Sequence, residues 1–393
     1  MRSLRILCLV LCLSPVRAYA QSGEPVESAR LHLGPVGITP SISFTTLTDS
    51  NVFRDEAGAR RDVMVTASPA SRGWLRAGRS RLSFEGRADF VYFRRYSGEG
   101  SLDGSIAGRY EMPVNRVTPW IEGRVVRGRQ RLGYEIDARA RHGESARGGG
   151  VMVRALSRTD IGAFAHTVDY RYGADARFVG ADLKEALNRR ATTIGVRVAQ
   201  RLTPLTALVV ESESIHDRFV FSTARDADSR RLLAGLDLAP GALISGRVRV
   251  GYREFDARAS AAAFRGLVGA VDAAWTVAGR VRFAVSGQRD LEYSYDVTSP
   301  YYVRNGGQLT ITSRLSPGVE IQARAGRQGL NYHDALASVV RVDRVDTYGG
   351  GIGYRVGDSL RIGVNVEREH RISVTHGRGF DGFRAGAALT YGG

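Results

Sequence analysis

The sequence predicts an all-β fold, namely a transmembrane antiparallel up-and-down β-barrel of about 18 strands, with about 16 as the alternative. Three observations favour it. Segments of about ten residues alternate apolar with polar side chains, compact turns recur about every 40 residues, and longer polar loops separate them. Short turns at one rim and long loops at the other are typical of barrels that span a membrane. The predicted short turns are residues 113–117, 156–160, 202–205, 239–242, 277–280, 316–319 and 356–359.

The alternating segments have the period of two that places successive side chains on opposite faces of a sheet. Leu82, Phe90 and Tyr92 fall on one face of such a segment, whereas Arg81 and Arg87 fall on the other. The apolar faces mix Gly and Ala with Leu and Val, which lipid tolerates but a close-packed core does not. Closing the sheet on itself also removes its costly edges. The strands are therefore predicted to form a barrel and not a soluble sandwich.

The start of the chain predicts export from the cytoplasm. Residues 1–20 have a positively charged beginning, an apolar core at 6–13 and a small-residue cleavage motif at 18–20, as expected for a signal peptide cleaved between Ala20 and Gln21. Residues 21–35 are predicted to be a flexible periplasmic segment, and residues 36–393 to be one outer-membrane barrel domain.

Composition restricts the kinds of site that the chain can hold. Both cysteines, Cys8 and Cys12, lie in the predicted signal peptide, which argues against disulfides and cysteine metal sites in the mature protein. The net charge is +16, of which three arginines belong to the signal peptide, leaving +13. Lys184 is the one lysine, and the arginines recur at alternate strand positions without forming a run. This distribution argues against nucleic-acid binding.

Aromatic residues are predicted to form two girdles at the membrane interfaces. The alternative is that they are ordinary strand aromatics, which any sheet favours. The predicted outer girdle, before the long loops, is Tyr92, Phe93, Tyr170, Tyr172, Tyr252, Phe255, Tyr293, Tyr295 and Tyr332. The predicted inner girdle, beside the short turns, is Trp74, Tyr110, Trp120, Trp275, Tyr354 and Tyr391.

Known catalytic signatures do not occur in the sequence. Phosphate-binding loops, serine-nucleophile elbows and zinc-protease motifs are all missing. Glu211 and Glu213 share one strand face, as a glycosidase pair could, but among so many arginines they are better interpreted as ion-pair partners. Gly349, Gly351 and Gly353 alternate along one strand and suggest a smooth or closely packed wall instead of a nucleotide site. The chain is predicted not to be an enzyme and to hold no cofactor or metal.

The polar inward face is the candidate functional surface. An excess of fixed guanidinium charge in a narrow passage would favour anions. The alternative is that arginines and acids form a ladder of ion pairs that only stiffens the wall. The predicted lumen-lining residues are Arg81, Glu85, Arg87, Asp89, Glu122, Arg124, Glu211, Glu213, Arg247, Arg249, Arg253, Arg282, Glu320, Arg324, Arg361 and Glu367.

Four segments of the first third of the chain carry a family resemblance: residues 38–44, 49–53 with Asp49-Ser-Asn-Val-Phe53, 62–69 and 81–89. They resemble a family of outer-membrane β-barrel porins associated with exopolysaccharide export loci. The resemblance implies a barrel through which a secreted polysaccharide leaves the cell with the help of periplasmic and inner-membrane export proteins. The last strand, ending in Tyr391 before two glycines, resembles the signal recognised by the outer-membrane barrel assembly machinery.

Three functions are compatible with these observations. The first is a passive outer-membrane conduit that exports an anionic exopolysaccharide or another large anionic solute. The second is a general anion-selective diffusion porin, which would have a constriction loop inside the lumen, and residues 131–144, 173–187 and 217–228 are long enough to supply one. The third is a plugged structural or adhesin barrel. Expected partners are outer-membrane lipid and lipopolysaccharide, the assembly machinery and periplasmic export proteins.

Overall fold

Eighteen long antiparallel strands close into one β-barrel in the computed structural model, which describes residues 29–258, 263–334, 336 and 338–392. This confirms the predicted fold and strand number. The predicted signal peptide and residues 21–28 lie outside the described residues. The strands are β1 Leu31–Leu33, β2 Val36–Asp49, β3 Asp62–Ala77, β4 Ser80–Phe93, β5 Ser101–Glu111, β6 Val117–Leu132, β7 Ile136–Leu156, β8 Thr159–Tyr172, β9 Arg177–Phe178, β10 Ala181–Asp182, β11 Arg189–Thr203, β12 Thr206–Phe219, β13 Ala227–Leu238, β14 Ile244–Ala257, β15 Phe264–Val277, β16 Val281–Tyr293, β17 Tyr301–Arg314, β18 Val319–His333, β19 Val339–Val356, β20 Leu360–Ile372 and β21 Phe380–Gly392.

Each long strand pairs with its neighbours along the chain, and β2 pairs with β21 to close the barrel. The short strand β1 adds to β2, so part of the segment predicted to be flexible is ordered. The short strands β9 and β10 and the helix α1, Leu183–Leu187, lie in the connection between β8 and β11. Among the described residues, no helix is long and apolar enough to cross a membrane.

The short turns lie together at one end of the barrel, here named the short-turn end, and the opposite end is the long-loop end. All seven predicted turns join consecutive strands there, and an eighth joins β3 to β4. Two non-glycine turn residues adopt positive φ, Asn115 at 54° and Ala278 at 48°. Such left-handed turn residues are typical of tight connections between antiparallel strands.

The outward faces of the strands are apolar and exposed, as a lipid-facing surface requires. On β11, Ile194 and Val196 are exposed, whereas the alternating Arg197 is buried on the inside. On β21, Phe383 and Tyr391 point outward and are about half exposed. The predicted alternation of strand faces is thus present in the structure.

The predicted girdles are only partly correct. Six of the aromatic residues point outward as expected: Tyr92, Tyr110, Tyr252, Trp275, Tyr354 and Tyr391. The others are partly or fully buried on the inside of the barrel: Trp74, Phe93, Trp120, Tyr170, Tyr172, Phe255, Tyr293, Tyr295 and Tyr332. The physical reason is the phase of the strands: Trp74, Trp120 and Phe255 alternate in step with the inward-facing Arg72, Arg124 and Arg253.

Candidate functional site: the lumen and its narrowed mouth

The lumen contains a cavity of about 1000 Å³. Its lining begins at the short-turn end, beside Asp358 and Ser359, and reaches Glu135 and Ile136 at the long-loop end. The cavity therefore follows the axis of the barrel for most of its length.

Ten predicted lumen residues line this cavity: Glu85, Arg87, Asp89, Arg124, Glu211, Glu213, Arg247, Arg249, Arg253 and Arg361. Five more lie on the same inward face outside the cavity lining, where each joins an ion pair: Arg81, Glu122, Glu320, Arg324 and Glu367. Arg282 is exposed near the short-turn end and alternates in phase with Gln288, which lines the cavity.

The expected excess of positive charge along the lumen is not found. Twelve arginines line the cavity, and twelve carboxylates line it with them. The predicted set of lumen residues lacks several of these acids, among them Asp217, Asp272 and Asp290.

Much of the wall is an ion-pair ladder, as the alternative interpretation expected. Arg197 and Arg249 both contact Glu211, at 3.2 and 3.3 Å, and both contact Asp237. All four side chains are at least nine-tenths buried. Glu213 pairs in the same way with Arg231. The two glutamates singled out for a possible catalytic role are thus engaged with arginines.

Inward-facing glycines allow ion pairs to reach across an intervening strand. Arg324 on β18 contacts Glu367 on β20, and Gly349 of β19 lies between them in the register. A Cβ at Gly349 would lie 2.8 Å from the Arg324 Nε and 2.9 Å from the Val366 carbonyl oxygen. The glycines predicted to give a smooth wall therefore leave room for arginine side chains of the neighbouring strands to lie across β19.

We expect Gly349→Ala to separate Arg324 from Glu367 and to lower the free energy of unfolding by about 1–3 kcal/mol, because the added methyl group has no room. The measurement is urea unfolding of the refolded protein in lipid vesicles. Gly329→Ala is the matched control, since its Cβ would meet only the Asn305 carbonyl oxygen at 3.6 Å. Equal stability of the two variants would contradict this account.

A hairpin formed by β6 and β7 projects into the long-loop end. Its pairing with β5 stops at Arg127, and its pairing with β8 stops at His142. Beyond these points the two strands pair only with each other, up to a turn at residues 133–135. Residues 128–141 are here named the tip. The predicted loop 131–144 is therefore mostly strand.

The tip crosses the lumen and is held by the opposite wall. Asp137 of the tip contacts Arg371 of β20 and Arg378 of the following loop, each at 3.0 Å. Arg371 also donates to the Tyr134 carbonyl oxygen at 2.7 Å, and Arg378 donates to that of Glu135 at 2.6 Å. The two arginines that make these four contacts belong to β20 and to the loop after it, which are far from β6 and β7 in the order of strands around the barrel. The tip thus spans the mouth.

Apolar contacts fix the tip against the β8–β11 connection. Ile136 and Ala140 pack against Leu183 and Leu187 of α1 and against Tyr295. Burial of this cluster removes apolar surface from water and so favours the inward position of the tip.

Arg225 joins three of the long loops. It is 5% exposed and donates hydrogen bonds to the carbonyl oxygens of Ala186, Ser294 and Pro300, at 2.7, 2.5 and 2.9 Å. Sequence inspection missed this residue, because an arginine in a polar loop has no distinguishing pattern.

A second hairpin, β16 and β17, narrows the same end. The pairing of β15 with β16 stops at Gly269 and Arg289. Beyond this point Leu291 packs with Phe255 and Phe264 of the neighbouring strands. Strand alternation alone would have placed Leu291 in lipid. Within the described part of the chain, no cluster of three or more possible metal-binding side chains occurs.

Comparisons with known proteins support the architecture. A family model described as "Putative beta-barrel porin 2" matches residues 24–391. The chain resembles OccK2 (OpdF) of Pseudomonas aeruginosa with a TM-score of 0.50 and 12% identity, over 90% of this chain and 98% of that one. A BenF-like porin from Pseudomonas fluorescens Pf-5 gives a TM-score of 0.48 and 11% identity, over 90% and 98%. The likeness to OccK2, at 12% identity, indicates a shared fold alone. No curated protein matches the chain.

Proposed function

The chain belongs to the family described as "Putative beta-barrel porin 2", and from this premise we propose that it is a passive outer-membrane channel whose traffic is limited by the tip. The observation that carries the proposal is the tip bound across a lumen that otherwise holds a continuous cavity with twelve arginines and twelve carboxylates in its lining. The diffusing solutes would be small and polar or charged. Equal numbers of lining arginines and carboxylates favour weak ion selectivity in the interior itself.

Export of an anionic exopolysaccharide, which the family resemblance suggests, is the second candidate. The observation in its favour is that the cavity extends to the short-turn end, where an exported chain would enter. Passage of a polymer would require the tip to leave the mouth. The contacts that hold it are ion pairs, hydrogen bonds to carbonyl oxygens and the apolar cluster around Ile136, and all of them lie at the long-loop end, where an exported chain would leave the barrel.

The test is single-channel recording of the refolded mature protein in a planar bilayer. We expect small, steady openings that shift to a larger conductance when residues 131–139, which lie between the paired Gln130 and Ala140, are replaced by a two-residue Asn-Gly turn. Correct folding of both proteins is checked by heat-modifiable mobility on a gel. A silent barrel in both cases would reject a channel function and favour a plugged structural barrel.

The channel is expected to open more often as the pH rises through about 7. Glu135, at the turn of the tip, is 2% exposed, and burial raises its pKa to about 7. When the tip leaves the mouth, this carboxyl group regains an ordinary, lower pKa. The closed state therefore binds the proton more tightly, so its advantage is complete at low pH and is lost as the pH rises through 7.

This prediction is measured as open probability between pH 5 and 8.5. Glu135→Gln should keep the tip closed across the range and flatten the profile, because glutamine stays neutral while it can still accept the Ser294 hydroxyl hydrogen bond. Glu56→Gln, a change of an exposed loop carboxylate, is the control and should retain the wild-type profile. A profile that Glu135→Gln leaves unchanged would refute the role of this group.

A further inference from the structure

The short-turn end carries five exposed arginines whose guanidinium groups have no hydrogen bond or ion pair in the described chain. They are Arg79, Arg116, Arg158, Arg280 and Arg314, here named the arginine rim. The first four lie in turns between strands, and Arg314 is the last residue of β17. Their charges are therefore available to a ligand.

Carboxylates do not balance the arginine rim as they balance the interior. Asp160 lies between Arg154 and Arg201, at 3.6 and 3.8 Å, and is already shared by two cations. Asp358 is the one acidic residue within the short turns. The short turns thus carry more arginines than carboxylates.

The arginine rim lies on two sides of the cavity entrance. Arg79, Arg116 and Arg158 lie in the turns after β3, β5 and β7, whereas Arg280 and Arg314 lie beyond β15 and β17, across the barrel. The cavity lining reaches the rim between these two groups, at Asp358 and Ser359. An anion that approaches the entrance is attracted from both sides.

We propose that the arginine rim captures an extended chain that bears repeated carboxylates and presents it to the lumen from the short-turn end. The inference rests on the second candidate function, export of a polymer, because it names the class of polymer that would enter the lumen. A guanidinium fork matches the geometry of a carboxylate. Each exposed contact is weak, so capture depends on several carboxylates acting together.

A chain fits this arrangement better than a folded acidic protein. The charges stand on separate turns around an opening, and a folded domain that touched all of them would cover the opening. A flexible chain can contact the same groups in succession and enter. Capture should weaken as salt is added, because exposed charges are screened over about 10 Å at 0.1 M salt.

The experiment records current interruptions when oligogalacturonate is added to either side of a bilayer that contains the channel. The orientation of the barrel in the bilayer is determined with the variant Val374→Cys, whose new thiol at the long-loop end reacts with an impermeant maleimide only from the side that it faces. This thiol is unique, because the chain after residue 20 has no cysteine. We expect interruptions from the short-turn side only. Their frequency should fall about tenfold or more when all five rim arginines become serine.

The matched control replaces five exposed arginines at the long-loop end with serine: Arg61, Arg94, Arg95, Arg171 and Arg177. It should leave the interruptions unchanged, and neutral dextran oligomers of equal length should give none. Oligoglutamate tests whether a peptide with repeated carboxylates is captured as a sugar polymer is. Interruption of the current by both polymers supports recognition of the carboxylates they share. Equal interruption from the two sides, or an unchanged frequency in the rim variant, would overturn the proposal.

A binding measurement separates this inference from the channel function. Fluorescent oligogalacturonate is titrated with detergent-solubilised protein, and its anisotropy reports binding without any current. A silent barrel whose binding is lost in the rim variant would reject the channel but retain the capture site. A conducting barrel that binds oligogalacturonate no better than dextran would reject the capture site alone.

Discussion

Replacing Asp137 with alanine is expected to open the channel. The carboxylate is 6% exposed and accepts hydrogen bonds from two buried arginines, Arg371 and Arg378. Removing one partner of a buried ion pair costs about 3–5 kcal/mol. We expect the lower end of that range, because Arg371 keeps its contact with Asp343. At about 1.4 kcal/mol per factor of ten, the ratio of open to closed channels should rise about a hundredfold.

Single-channel recording measures this ratio directly as open probability. Asp175→Ala is the matched control, since this carboxylate is also at the long-loop end but forms an exposed pair with Arg141 at 3.5 Å. Exposed pairs contribute about 0–1 kcal/mol, so the control should behave as the wild type. If both variants open equally, or if neither does, the ion pairs of Asp137 do not hold the tip.

Replacing Arg225 with methionine is expected to release the β8–β11 connection. Hydrogen bonds from a charged group contribute about 1.5–3 kcal/mol each, and Arg225 donates three of them to buried carbonyl oxygens. Methionine retains much of the side-chain volume but cannot donate. We expect local opening of this connection to become easier by at least about 3 kcal/mol, that is, by about a hundredfold.

The only lysine of the chain, Lys184, lies in this connection and provides the measurement. A protease specific for lysine can cut at a single place, and its rate follows the population of the opened state. We expect Arg225→Met to be cut about a hundred times faster than the wild type. Arg258→Met, which removes an exposed arginine with a 3.7 Å ion pair, should be cut at the wild-type rate. Equal rates for all three proteins would show that Arg225 does not fasten the loops.

The alternation of side chains and the positions of the short turns were sufficient to predict the barrel, but not the structure of the long-loop end. Alternation assigns Arg249 and Val250 to opposite faces, and the short turns show where strands reverse, so the fold and the strand number followed from the sequence. Alternation also assigns Tyr252 and Phe255 to opposite faces, and Phe255 is in phase with the inward Arg253. The girdle prediction is wrong at Phe255 because it rests on nearness to a loop and not on the phase of the strand.

The sequence predicts only part of the structure of the tip. Residues 131–144 are a candidate constriction loop, and they do lie in the lumen, but they continue the strands β6 and β7. The two arginines that donate hydrogen bonds to Asp137, Arg371 and Arg378, are each more than 200 residues away from it in the chain. Without the barrel order, nothing in the sequence near either residue indicates their contact.

The closing seam between β2 and β21 has a consequence for how the protein reaches its native state. Ser41 pairs with Gly392, so one edge of the first long strand stays unpaired until the last strand has been added. Contacts between residues so distant in sequence form slowly, because a long loop of chain must close first. Until then both strands expose unpaired edges that invite aggregation. Loss of β21 by truncation should therefore yield aggregated or degraded chains and no smaller barrel.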